Sequence, residues 1–135
     1  MLLDVLSFEE KKAFWNIANV LASVDGRVSE EESILTQYKE EMGVDFEFAD
    51  PSSININEEL ENIRTSSLRN RKIMYFELFG VAYADTDFNE KEKNILEEAC
   101  TVLEIKEDVR TVLENSVKTI YDTYRELGNA LGSED

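Results

Sequence analysis

One pattern occurs twice in this chain, and it constrains the fold more than any other feature. LASVDGRVSEEE at 21–32 lies over VAYADTDFNEKE at 81–92, a shift of 60 residues. Ala22 meets Ala82, Asp25 meets Asp85, Val28 meets Phe88, Ser29 meets Asn89, Glu30 meets Glu90 and Glu32 meets Glu92. After one inserted residue, ILTQYKEEMGV at 34–44 aligns with ILEEACTVLEI at 95–105. Each copy is an apolar run, a tight acidic turn, and then Ser or Asn followed three positions later by Glu. That spacing is a capping box, in which the two side chains satisfy N–H groups at a helix start. Each copy therefore predicts helix, turn, helix. Two copies predict a pseudo-twofold helical domain, because a solenoid needs at least three units.

The rest of the chain agrees. Ser7 and Glu10 form a capping box, and Phe14, Ile17, Ala18, Leu21 and Val24 follow at helical spacing. Asp25-Gly26 is placed to end that helix. Ser29 to Glu32 caps the next, with Ile34, Leu35, Tyr38 and Met42 on its face and Gly43 as its stop. Residues 44–55 hold the single proline and read as a connector. Asn57 is expected to cap a short helix through Ile63. Ser67 is expected to cap another, whose interior IMYFELFGVAYA is apolar on nearly all sides and so belongs at the centre of a bundle. Asn89 caps a helix carrying Ile95, Leu96, Ala99, Val102 and Leu103. A break near Lys106 precedes a last helix, with Val109, Val112, Leu113, Ser116, Ile120, Tyr124 and Leu127 expected on one stripe and Gly128 or Gly132 ending it. The expectation is all-α: a single compact bundle of about six helices over residues 1–135, with internal twofold duplication and repeat halves at about 8–64 and 67–127.

Charge narrows the partners. Thirty acidic residues against fourteen basic ones leave a net charge of −16. Such a surface repels phosphate backbones and anionic lipid, and favours cations or a basic protein patch. Cys100 is the lone cysteine, so no internal disulfide forms; with no His to activate it, it reads as a packing residue. No apolar segment reaches the length of a transmembrane helix, and MLLDVLSFEEKK lacks the basic start and apolar core of a signal peptide. A cytoplasmic protein without direct membrane insertion is expected.

The acidic turns admit three readings. As an EF-hand, Asp85, Asp87 and Asn89 match the first alternate positions, but Glu90 stands where Gly is needed and Leu96 where the closing Glu is needed. In the first copy Arg27 and Thr36 fail similarly. As helix starts, Ser29 or Asn89 with Glu32 or Glu92 satisfies orphan N–H groups, at about 1 kcal/mol per cap. That leaves Asp25 and Asp85 without a role. As a paired site, a local twofold would bring Asp25, Glu32, Asp85 and Glu92 together around one or two hard cations. Oxygen-only ligands favour magnesium, calcium or manganese. Glu77 is the only charge between Ile73 and Ala84. It reads either as a helix-edge carboxylate reaching solvent or as a partly buried acid, paired with Lys or Arg or aimed at the same cluster.

Duplicated about 60 residues apart in an all-helical chain, ASVDGRVSEEESIL and AYADTDFNEKEKNIL resemble the tellurite-resistance TerB-like family. The second copy has Thr86 where the family pattern has Gly. The resemblance covers roughly residues 8–127. It implies a compact helical bundle with an acidic face, linked to tellurite resistance, stress response and phage defence, acting in the cytoplasm near membrane-associated partners. It also implies acidic residues suggested to chelate metal; on this chain they are Asp25, Glu32, Asp85 and Glu92.

Three functions follow as expectations. The first is a non-catalytic module that binds a divalent cation (Mg, Ca or Mn), a protein partner, or both. The second is a metal-independent adaptor whose acidic face meets a basic or membrane-associated protein, with no nucleic-acid role. The third is a carboxylate-metal hydrolase. It is disfavoured because the chain has no His, no nucleophile motif and no Gly-rich phosphate loop.

Overall fold

The computed structural model describes residues 2–24, 29–48, 50–84 and 89–132, and of residues 29–33 the helix but not the side chains. Six α-helices run through the described residues: α1 Phe8–Ser23, α2 Ser29–Met42, α3 Ile56–Ile63, α4 Leu68–Ala84, α5 Glu90–Val102 and α6 Glu107–Leu131. Short 3-10 turns lie at Leu3–Val5 and Pro51–Ser53. None of the described residues is in a strand, so the all-α class holds.

The helix starts follow their caps. Ser7 Oγ accepts the Glu10 N–H (3.2 Å) while Glu10 Oε1 accepts the Ser7 N–H (2.8 Å). Asn89 and Glu92 repeat this box at α5, at 2.9 and 3.2 Å. Ser67 Oγ accepts the Asn70 N–H at 3.1 Å and opens α4. The expected Ser29 cap and the Asp25-Gly26 stop lie outside what the structure describes. Gly43 ends α2 as expected: its φ of +70° suits glycine, and its N–H returns to the Lys39 carbonyl at 3.0 Å.

The cap of α3 needs correction. Asn55, not Asn57, accepts the Glu58 N–H, at 3.2 Å. The earlier start brings Ile56 onto one face with Leu60 and Ile63, and that face packs on the core.

α4 is the central helix, buried on nearly every side and packed against α1, α2, α5 and α6. α1 supplies the other half of the core through Phe14, Trp15, Ile17 and Leu21, and α3 lies against α1. The connector after α2 stacks Phe46 on Trp15, with centroids 5.9 Å apart, while Phe48 stays half exposed. A segment that periodicity left unassigned also enters the core. The first 3-10 turn seats Leu3 and Leu6 against α2 and α4.

α6 departs most from expectation. Of the expected stripe, Val109, Leu113 and Ile120 are half-buried, but Val112, Ser116, Tyr124 and Leu127 are exposed. The docked face centres on Leu113, Val117 and Tyr121, one side chain per turn. α6 runs parallel to α4, with Glu114 at Tyr75, Lys118 over the Phe79 ring and Tyr121 at Gly80. α4 stops at Ala84, so α6, eight residues longer, outruns its partner and its last turns face solvent.

Candidate functional site

The four carboxylates singled out by the repeat are described unequally. Asp25 and Asp85 lie outside the described residues, and Glu32 lies in α2 with its side chain outside them. Glu92 is described, fully buried, and its Oε1 accepts the Asn89 N–H. That geometry assigns Glu92 to the capping box. Among the described residues no group of three or more His, Cys, Asp or Glu side chains is placed to hold a metal ion.

Glu10 holds the same place in the Ser7 box and accepts from several donors. Burial disfavours its charge, but hydrogen bonds from Ser66, Ser7 and Asn70 outweigh that and hold its carboxyl below the ordinary range.

A second acidic site was not visible in the repeat. Glu77 is 5% exposed, so it does not reach solvent from a helix edge. Its Oε2 accepts the Leu2 N–H at 3.1 Å, and Glu41 Oε1 accepts the Leu3 N–H at 2.9 Å. Two glutamates from α2 and α4 thus receive successive N–H groups at the start of the first 3-10 turn, which has no helical partner for them. The buried-acid reading of Glu77 holds in its burial, and among the described residues its carboxylate accepts a backbone N–H.

Beside this pair opens a cleft of about 490 Å³ between α2, α4 and α6. Its floor is α4 at Gly80. Tyr38 donates to the Glu77 carbonyl at 3.0 Å and Tyr121 to the Gly80 carbonyl at 3.2 Å. Gly80 makes room for this contact: a Cβ would come 3.3 Å from the Tyr38 hydroxyl, which would have to shift by a few tenths of an ångström. Burial and then the Glu77 charge raise the Tyr38 phenol well above its ordinary pKa, and raise that of Tyr121 to about 12. Both phenols therefore stay protonated and act as donors at neutral pH, under a negative field.

Among known protein families, the model described as "Tellurite resistance protein TerB" matches residues 17–113. The chain belongs to the TerB family. No curated protein and no solved structure matches it. The match is narrower at both ends than the resemblance read from the motifs. It contains both acidic turns, but not the first 3-10 turn or the outer half of α6.

In this TerB-family chain, the matched stretch encloses both turns and leaves the cleft wall formed by Val117, Ile120, Tyr121 and Tyr124 outside it. Cys100 is buried, and burial pushes its thiol up to about 11, so it packs rather than reacts. No helix of the described residues is long and apolar enough to cross a membrane. The sequence signal for the cleft was faint: a glutamate inside an apolar helix, and a glycine where a helix former would serve better.

Proposed function

We propose that this TerB-family chain is a non-catalytic acidic module of the tellurite-resistance type, built on two copies of one helix–turn–helix, that binds a divalent cation at its paired acidic turns. The observation that carries the reading is the family match spanning both turns. Asp25, Glu32, Asp85 and Glu92 would be the ligands. An all-oxygen set suits magnesium, calcium or manganese rather than zinc. The ion would offset repulsion among carboxylates drawn together at the two helix starts.

Thermal unfolding during titration with each ion tests this. A ligand at a hundred times its Kd adds about 2.7 kcal/mol to stability. The melting temperature is expected to rise with at least one of the three ions, and the rise is expected to vanish in the Asp25→Asn/Asp85→Asn double variant while its metal-free melting temperature holds. An absence of any shift at millimolar ion leaves the second reading, an adaptor that recognises a basic protein partner by charge. The net charge of −16 supports that reading independently of any metal.

A further inference from the structure

None of the four candidate metal ligands is among the described lining residues of the cleft between α2, α4 and α6, and three features of it point to one kind of occupant. Its walls are aromatic: Tyr38, Phe76, Tyr121 and Tyr124, the last 69% exposed. Its charged lining is Glu41 and Glu77, with no Lys or Arg among the described lining residues. One wall is a helix that continues past the body of the protein. From Asp122 to Leu131, α6 extends for about 15 Å at 1.5 Å per residue. Tyr124, Leu127 and Leu131 carry the apolar stripe along it and are all exposed.

An apolar trough flanked by a free-standing helix is the shape that accepts an amphipathic helix. Aromatic faces together with carboxylates select a positively charged side chain. A second copy of this chain fits poorly, because it would set −16 against −16. We infer that the cleft is the docking site for an amphipathic helix of another protein, apolar on the face that enters between α2 and α6 and bearing Lys or Arg along its flank. The inference rests on reading the chain as an acidic interaction module and names the surface that does the binding. Phe76 and Tyr124 receive the apolar face, and Glu41 at the α2 side of the cleft receives the basic flank.

Three synthetic peptides of about five helical turns test it against the full chain by fluorescence anisotropy. One is an amphipathic Leu/Lys helix, the second its Leu/Glu counterpart, and the third a Gly/Lys peptide of the same positive charge with no apolar face. The Leu/Lys peptide is expected to bind at least about tenfold tighter than the Gly/Lys peptide, and the Leu/Glu peptide not to bind. Tyr124→Glu adds a negative charge but removes an apolar wall, and is expected to weaken Leu/Lys binding about tenfold. Gln37→Lys at the rim is expected to do the same, while Glu98→Lys, a charge change twice as large on the exposed face of α5, changes it less than about twofold. Melting temperatures of the three variants check that each is folded. Equal binding of the Leu/Lys and Gly/Lys peptides, or undiminished binding by Tyr124→Glu, would mean attraction by charge alone. The cleft would then be wrong while the adaptor reading stood. Failure of every basic peptide would remove both. A dimer in sedimentation equilibrium that Tyr124→Glu dissolves, with no peptide bound, would give the cleft to a second copy instead.

Discussion

Arg110 and Arg125 sit on the same helix, and each meets a carboxylate within one turn of itself. Their surroundings differ completely. Arg110 Nε donates to Glu114 at 2.7 Å and its Nη1 to Glu97 of α5 at 2.9 Å, with the guanidinium over the Tyr75 ring. Glu114 also accepts the Tyr75 hydroxyl, so α4, α5 and α6 share one polar knot. Its central pair is 17% and 20% exposed. Arg125 donates to Asp122 at 3.0 Å, with both side chains more than half exposed. The inner half of α6 is part of the body; the outer half is a helix in water. Gly128 lies in that outer half with nothing within 4 Å of where a Cβ would stand, so no packing need explains it. The comparison teaches that a salt bridge spaced one turn apart says nothing of its worth until burial is known.

The largest expected effect separates the two arginines. Arg110→Ala leaves Glu114 and Glu97 without their shared donor and the Tyr75 ring without its cation, and is expected to cost about 2 kcal/mol. Arg125→Ala is expected to cost no more than about 0.3 kcal/mol, since exposed pairs one turn apart are nearly neutral. Urea unfolding with an unchanged slope measures both. Equal costs would erase the distinction between the two halves of the helix.

A smaller effect, of opposite sign, is expected where α6 is aimed. α5 ends in a Schellman turn: the Glu104 N–H returns to the Thr101 carbonyl at 3.3 Å and the Ile105 N–H to the Cys100 carbonyl at 3.0 Å. Glu104 holds a φ of +55° there, a conformation that costs a side-chain-bearing residue about 1 kcal/mol. Ile105, buried just after it, fixes the direction in which Glu107 begins α6 and Arg110 comes to face Glu97. Glu104→Gly relieves the strain but loosens the unfolded chain, so the net gain is expected to be about 0.5 kcal/mol. A loss of stability would mean that the Glu104 side chain contributes more than its backbone costs.

Much of this was legible in the residues. The boxes at Ser7 and Asn89, the Ser67 cap and the Gly43 stop are local events, decided by side chains within four positions, and local events can be read from spacing. The burial of α4 was legible because an all-round apolar helix has one place to go. What could not be read was registry between distant segments. Nothing local to Glu77 says that its carboxylate meets the N–H of Leu2. Nothing in the α6 stripe says that α4 ends at Ala84 or that Tyr124 and Leu127 stay exposed. For the candidate metal ligands, spacing located the acidic turns and the family match enclosed them. Of the four, only the Glu92 side chain lies in the described part, where it serves the cap.

The smallest expected effect bears on the same point. Leu127 is half exposed and lies beyond the end of α4. Leu127→Ala is expected to change stability by no more than about 0.3 kcal/mol, because Ala is at least as good a helix former and little packing is lost. Leu→Ala in a packed core costs about 2–5 kcal/mol, so the two outcomes are well separated. The measurement is worth making at two protein concentrations tenfold apart. A cost above about 1 kcal/mol that grows with concentration would show the stripe already covered by another copy in solution, since association stabilises by mass action. A cost near zero at both concentrations leaves the outer half of α6 open to a partner of different chemistry.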